Sequence, residues 1–405
     1  MKMLIGGSPC THWSIAQTKN RETEASGIGW ELFLNYRIAR DKYQPDFFLY
    51  ENNKSMSPAI RAQITAELGV EPVLINSALV SAQNRQRLYW AGKRNQDGTY
   101  SQVAVEQPVD RGILLRDILE SGVCWKEKGY ALLSTTGGTT VGGTVTGHQR
   151  NGAAEPVRIG EIESAAAETR FDTSKQYKVY SPDGKATALC GNGGGAGAKT
   201  GLYAVPAGMA WRGRENGSAF EMRDDQKSNA VAATGHQSRL VIEAADGKQM
   251  PVYEVRGGRI TIKGKTYPIK LADGFYIIRK LTVTECKRLQ TVPDTYAFPV
   301  SDTQAYKMLG NGWTVDVIAH IMSHFTGLTE EAVEVLSMYD GMSCGHIALD
   351  KLGAEITTYY ATEIDKYAVQ TTQHNFPDTV QLGDAFQVRT EDWNLPEPVE
   401  MEEKK

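Results

Sequence analysis

Both ends of the chain carry the same alternation of short apolar runs and helix-like stretches, and the middle lacks it. Residues 3 to 7 (MLIGG) and 46 to 50 (DFFLY) are apolar runs that end at polar residues, as buried parallel strands do, and Gly29 to Tyr43 between them has helical character. Residues 334 to 339 (EVLSMY) and 357 to 362 (TTYYAT) repeat the pattern around a helical stretch, Gly345 to Leu352, and Thr379 to Leu382 supplies a third short strand. Both ends therefore predict α/β structure. From Gly129 to Gly217 the chain instead holds 18 of its 40 glycines. Glycine at that density favours turns, bulges and loops lying close to a ligand backbone. GHQ occurs after Thr at 147 and again at 235, and KATALCGNGG loosely echoes KSNAVAATGHQ, so the middle reads as a weak repeat of short strands and glycine turns. Trp211, Tyr203, Leu189 and Val231 are interleaved there and can form a core, which argues against a linker.

A length of 405 residues suits two domains. No apolar run approaches the roughly 20 residues of a membrane span, and the start, MKMLIGGSPC, does not resemble a signal peptide. Five scattered cysteines without a CxxC pair predict no zinc site or redox dithiol, and they suit a reducing cytoplasm. The net charge of −4 argues against nucleic-acid binding only if charge is evenly spread. From Lys126 to Lys280 there are 22 Lys plus Arg against 15 Asp plus Glu, a balance of +7 that leaves −11 for the rest. A basic middle between acidic ends suits a DNA-gripping insert on a catalytic body, or an unevenly charged solvated surface.

Gly6-Gly7-Ser8-Pro9-Cys10 puts a cysteine just past a predicted strand, at the sheet edge where α/β proteins bind ligands. Its thiolate is a nucleophile, and the proline beside it stiffens the turn that presents it. The next strand runs into Tyr50-Glu51-Asn52-Asn53, which puts a carboxyl group at the same edge, able to hold a proton and give it to a ring nitrogen. In Gln83-Asn84-Arg85-Gln86-Arg87 two arginines at i and i+2 share one face if the segment is a strand. Such a pair can orient a carboxylate and bind a carbonyl oxygen or phosphate.

GGSPC, YENN and QNRQR, in this order and spacing, resemble three signature motifs of cytosine-5 DNA methyltransferases. The segment 279 to 294 (RKLTVTECKRLQTVPD) is similar to the one closing the target-recognition region in that family, and 309 to 321 (LGNGWTVDVIAHI) to a helix that packs onto the cofactor site. VLSMYDGMSCGHIALDKLG (335 to 353), which comes first in ordinary members, comes last here. It resembles the strand, Asp-Gly turn and helix that hold the methionine part of S-adenosylmethionine. Glu363 follows about 20 residues on, where an acid binds ribose hydroxyls, and Gly383-Asp384-Ala385 matches the adenine-binding turn. The likeness is strongest to the mammalian de novo branch, through IGGSPC, VLSMYDGMSCG and LGNGWTV, and covers about half the chain.

The resemblance implies a Rossmann-like S-adenosylmethionine-dependent methyltransferase sheet, circularly permuted, with a glycine-rich, mostly β target-recognition insert. On this resemblance, the continuation expected after Trp393-Asn394-Leu395-Pro396 corresponds to the first line of the sequence. The expected parts are 1–95 as the catalytic half, 96–278 as the target-recognition domain, 279–395 as the remainder with the cofactor half, and 396–405 as a disordered tail. Implied partners are double-stranded DNA and S-adenosylmethionine, with no membrane and no metal. The implied catalytic residues are Cys10, Glu51, Arg85 and Arg87. Cys10 attacks carbon 6 of a flipped cytosine and Glu51 serves ring nitrogen 3. Arg87 holds the base carbonyl and Arg85 orients Glu51, or the two share or swap these roles. The implied cofactor residues are Asp340, Gly341, Met342, Ser343, Cys344, Gly345, Glu363, Ile364, Asp384, Ala385, Asn311, Gly312 and Trp313. The stretch from Thr11 to Gly29 corresponds to a mobile loop that closes over DNA, with Thr11 where many bacterial members carry Gln. Three rivals share these motifs: an RNA cytosine methyltransferase, an inactive DNA-binding relative, and a transferase using a modified donor. The long basic insert favours DNA, and the joint presence of Cys10, Glu51 and Arg87 favours catalysis.

Overall fold

Residues Lys2–Gly6 form a strand, β1, whose Met3, Leu4 and Ile5 are fully buried, and it lies at the centre of the larger part of the α/β structure. A computed structural model describes residues 1–9, 12–13, 21–120 and 282–396, and between them 158–161, 178–180, 186–187, 202–206, 209–214, 217–222, 240–243, 249–262, 265–268 and 273–279. The chain divides into two compact units: Met1–Val80, Arg85–Val109 and Gln290–Lys405 form the first, and Ser81–Asn84 with Asp110–Leu289 form the second.

In the first unit β1 is followed by α1 (Gly27–Tyr43) and β2 (Phe47–Asn53). α1 buries Trp30, Phe33, Tyr36, Ala39 and Tyr43, a spacing of three and four residues that lays one face on the sheet. Its helix stops at Gln44, which takes the left-handed conformation and donates its N–H to the Arg40 carbonyl. α2 (Pro58–Leu68) begins with the Ser57 hydroxyl accepting from the Ile60 N–H and a proline in its first turn, and it ends at left-handed Gly69. Three further strands follow: β3 (Val73–Asn76), β4 (Gln86–Arg94) and β5 (Tyr100–Gln102). After the second unit the chain supplies α3 (Asp302–Asn311), α4 (Val315–Met322), β6 (Val333–Met338), α5 (Cys344–Leu352), β7 (Ile356–Thr362), α6 (Lys366–Asn375) and β8 (Val380–Gly383).

These eight strands make one sheet in the order β8-β7-β6-β1-β2-β4-β3, with β5 on β4. The first five in that order are parallel, and β3, β4 and β5 add an antiparallel edge. The seam between β1 and β6 pairs Leu4 with Leu336 and Gly6 with Met338, so residues more than 330 positions apart lie side by side. The expectation of α/β structure at both ends holds, and the two ends share a single sheet. The expected junction at 95/96 falls inside a hairpin, because Tyr100–Gln102 pairs with Gly92–Arg94.

In the second unit the described strands form a mostly antiparallel sheet in the order 265–268, 259–262, 249–256, 274–279, 202–206, 178–180, 158–161, with 240–243 on 249–256. A hairpin pairs Met209–Arg214 with Gly217–Met222, and a short helix, Val283–Leu289, ends the unit. Among the described residues no helix is long and apolar enough to cross a membrane. The GHQ repeat, the glycine-rich stretches around it and the acidic tail from 397 lie outside the described residues.

Candidate active site

The parallel strands end together along one edge, and the residues that carry chemistry sit just beyond them. β1 and β2 pair through Gly6 and Tyr50, so Gly7-Ser8-Pro9 and Glu51-Asn52-Asn53 leave the sheet as neighbours. They leave in close contact. A Cβ on Gly7 would stand 2.7 Å from the Glu51 carbonyl oxygen and 3.1 Å from its Oε2. Beneath them the buried Ser8 and Tyr50 hydroxyls share a hydrogen bond of 2.6 Å, and the Asn52 amide donates to the Tyr50 hydroxyl at 3.1 Å and to the Ser8 carbonyl at 3.1 Å. Burial raises the Tyr50 pKa above the phenol's ordinary value, so this cluster is neutral and serves as a rigid footing for the turn. Cys10 and Thr11 themselves lie outside the described residues.

Glu51 is 9% exposed and both of its carboxylate oxygens are held. Arg87 Nε lies 3.1 Å from Oε1, and the Trp313 indole N–H donates to Oε2 at 2.9 Å. Arg85 turns elsewhere. Its Nη1 donates to the Gly310 carbonyl at 3.1 Å and its Nη2 to the Gly312 carbonyl at 2.9 Å. The two arginines do not project from one continuous strand, because β4 begins at Gln86, and of the roles left open by sequence it is Arg87 that contacts Glu51.

The segment expected to hold the cofactor forms the turn after β6. Tyr339, Gly341 and Ser343 take positive φ angles of 60°, 61° and 57° in this turn, and a Cβ on Gly341 would meet nothing within 4 Å. The loop therefore presents open backbone to one side. Glu363, at the end of β7, ties it down: Oε2 accepts from the Gly341 N–H at 2.9 Å, and Oε1 accepts from the Ile364 and Asp365 N–H groups. Three of the roughly four lone-pair positions of a carboxylate are thereby used. Burial raises the Glu363 pKa, although the backbone donors oppose the shift. Ile364 beside it is 76% exposed, a large apolar side chain at the loop's mouth.

Asp340 behaves differently. Its carboxyl accepts from the hydroxyls of Ser337 (2.7 Å), Tyr359 (2.8 Å) and Ser343, and desolvation raises its pKa. It braces the turn from behind. Met342, Ser343, Cys344 and Gly345 are buried, and a Cβ on Gly345 would stand 2.2 Å from Ile5 Cδ1, so this glycine serves the packing of α5 on β1. Burial pushes the Cys344 thiol up to about 12, which leaves it a packing group. Asp384 is exposed and accepts from the Phe386 N–H, Ala385 is buried, and Asn311 is exposed at the end of α3. Gly312 is closely packed, since a Cβ there would lie 3.1 Å from the Met308 carbonyl oxygen and 3.2 Å from Cys344 Sγ, tighter than an ordinary contact. The structure thus joins Glu51, Trp313, Gly312 and Cys344 in one chain of contacts.

Several contributors escaped sequence reasoning. Asn52 stands beside Glu51 in YENN, and a buried amide at a strand end is a signal that it pins the adjoining turn. Tyr296 donates its hydroxyl to the Met342 carbonyl at 2.7 Å, and nothing in the local sequence marks it. Of the expected lid, residues 14–20 lie outside the described residues, but both feet are fixed. The fully buried Trp13 donates its indole N–H to Glu22 Oε2 at 3.0 Å, and Glu22 Oε1 accepts from the Gly29 N–H. Among the described residues no three His, Cys, Asp or Glu side chains converge as metal ligands would.

A model of the family described as C-5 cytosine-specific DNA methylase matches residues 1–326. The chain is 24% identical over 384 residues to the orphan methyltransferase M.SPRI of Bacillus phage SPR, covering 79% of this chain and 81% of that protein. It is 24% identical over 331 residues to the type II methyltransferase M.HpaII of Haemophilus parainfluenzae, over 78% of this chain and 69% of that one. It is 39% identical over 115 residues to the type II methyltransferase M.SsoII of Shigella sonnei, over 25% and 29% of the two chains.

Proposed function

Because the chain belongs to the C-5 cytosine-specific DNA methylase family, we propose that it transfers a methyl group from S-adenosylmethionine to carbon 5 of cytosine in double-stranded DNA through a covalent bond to Cys10. The observation that carries this reading is the Glu51 carboxylate, clamped by Arg87 and Trp313 against Gly7, three residues before Cys10.

A cytosine in a duplex hides carbons 5 and 6 in the stack, so the base is flipped out at a cost of a few kcal/mol. The Cys10 thiolate forms a bond to carbon 6 while Glu51, carrying a proton taken from solvent as the base docks, gives it to ring nitrogen 3, so that the electron pair displaced by sulfur is drawn into the ring and carbon 5 becomes nucleophilic. Arg87, already beside Glu51, holds the carboxyl group and meets the base carbonyl. After carbon 5 is substituted, a water molecule accepts the proton at carbon 5, its electron pair re-forms the 5,6 double bond as the carbon–sulfur bond breaks, Cys10 leaves as the thiolate, and nitrogen 3 returns its proton to Glu51.

The residues present fit the cofactor. Open space over Gly341, the exposed Ile364 and the unfilled position on Glu363 make a cradle with an apolar wall and an acid suited to ribose hydroxyls. Asp384 and the left-handed, unobstructed Gly383 suit the adenine end. S-adenosylmethionine, when bound, supplies a methyl group activated by its sulfonium. The second unit is read as the target-recognition domain and the order of elements as a circular permutation. The support is that β6, β7 and β8, late in the chain, add directly to the free side of β1.

Mass spectrometry of nucleosides from cells expressing the chain tests this. DNA should gain 5-methylcytosine, and Cys10→Ser should abolish the gain. A modified RNA nucleoside, a heavier substituent on cytosine, or no change at all would reject the reading.

A further inference from the structure

Trp313 belongs to the segment expected to line the cofactor, yet its indole N–H is spent on Glu51, 262 positions earlier in the chain. The turn that carries it is fixed from several sides. Arg85 binds the carbonyls of Gly310 and Gly312. Gln290 donates to the carbonyls of Leu309 at 2.5 Å and Gly312 at 3.1 Å, and its Oε1 accepts from the Thr314 hydroxyl at 2.8 Å. Thr314 in turn shares a 2.8 Å hydrogen bond with Ser77, both buried. Gly312, packed against Cys344, seats the turn on the start of α5. So much anchoring around an indole whose polar atom reaches one carboxylate oxygen is the arrangement expected where orientation matters, because a carboxylate held only by Arg87 can pivot about that contact.

We infer that Trp313 is a positioning residue for Glu51, fixing the carboxylate plane so that its proton is delivered to the cytosine ring. The inference rests on the proposed role of Glu51. Trp313 touches no reacting atom. It acts on the rate by restricting Glu51, and through Gly312 it links that restriction to the turn beside the cofactor loop.

The test is a double-mutant cycle in the full chain, with tritiated S-adenosylmethionine and unmethylated genomic DNA, reading single-turnover incorporation over times long enough to follow slow variants. Trp313→Phe keeps the ring and removes the donor. It should lower the rate about tenfold or more, the usual range for losing a hydrogen bond to a charged group, while the KM and calorimetric Kd for S-adenosylmethionine stay within about twofold. In a Glu51→Gln background the same substitution should add almost nothing. A wild-type rate for Trp313→Phe, a loss that adds in full to that of Glu51→Gln, or a loss of cofactor binding would each overturn the inference and leave the reading of Glu51 standing. A wild-type rate for Glu51→Gln would instead overturn the reading on which it depends.

Discussion

Asp340 lies on the turn after β6 and Glu363 at the end of β7, and the surroundings of these two carboxyl groups predict opposite uses. Glu363 keeps a free position at an open face, so Glu363→Ala should weaken S-adenosylmethionine binding by about tenfold or more, the worth of a charged hydrogen bond. An unchanged Kd in calorimetry would remove it from the cofactor site. Asp340 spends its oxygens on Ser337, Ser343 and Tyr359, and desolvation raises its pKa. A carboxyl with a raised pKa holds its proton more tightly in the folded than in the unfolded state. Its contribution to stability is then full below the ordinary Asp value and is lost as pH climbs through the raised one. Asp340→Asn removes that component. Unfolding midpoints of both proteins, followed upward from about pH 4, should show the wild type losing ground to the variant as pH rises, and a constant difference would refute the burial effect. The hydroxyls of Ser337, Ser343 and Tyr359 oppose the shift, and His346 adds to that opposition.

Strands and turns determine which residues meet, and here the sequence was partly legible. β1, β2, β6 and β7 declare themselves as apolar runs with helices between, and a run ending at a polar residue puts that residue at the carboxyl edge of the sheet, where Glu51 and Glu363 stand. Arg85 and Arg87 show the limit. The i, i+2 rule needs an unbroken strand, and Arg85 lies just outside β4 with partners 225 and 227 positions away. Gly345, in the segment that resembles the cofactor turn, also serves the packing of α5 on β1, where a Cβ would stand 2.2 Å from Ile5 Cδ1, a contact that no local pattern announces. Gly7 offers a test at this scale. A Cβ there meets the Glu51 main-chain oxygen at 2.7 Å, and no rotamer change relieves a clash with backbone. Gly7→Ala should therefore cost roughly 1–3 kcal/mol, the usual range for overpacking. Urea unfolding measures the loss, and methyl transfer should fall with it because Glu51 is the group displaced. A variant as stable and as active as the parent would mean that the two strand ends are not in contact.

The first residues of the chain and the last described ones approach each other at the opposite edge of the same sheet. Lys2 and Pro396 line one cavity of about 510 Å³ with Glu334, Tyr360 and Trp393, and the Tyr360 hydroxyl donates to the Pro396 carbonyl at 2.8 Å. The Met1 amine donates to the Ala332 carbonyl at 2.8 Å, on the exposed turn that leads into β6. If the order of elements is a permutation, the fold depends on which strands pair and not on where the chain is cut. Joining residue 405 to Met1 through a short glycine-serine linker and opening the chain between Glu330 and Glu331 restores the order in which the cofactor turn precedes Pro9-Cys10. Every strand pair of the sheet survives this change. The losses are the Met1 hydrogen bond, its exposed ion pair with Glu331, worth about 0–1 kcal/mol, and the 3.0 Å hydrogen bond from the Glu331 N–H to the Gly327 carbonyl in the opened turn. Closing a flexible loop of different length changes the entropy by a similar amount, since each doubling costs about 0.6 kcal/mol. The relinked chain should therefore unfold in one cooperative urea transition, within about 2 kcal/mol of the parent by these terms, and should methylate DNA. Loss of the cooperative transition, with the parent intact under the same conditions, would show that the present chain order is itself required for the sheet to form.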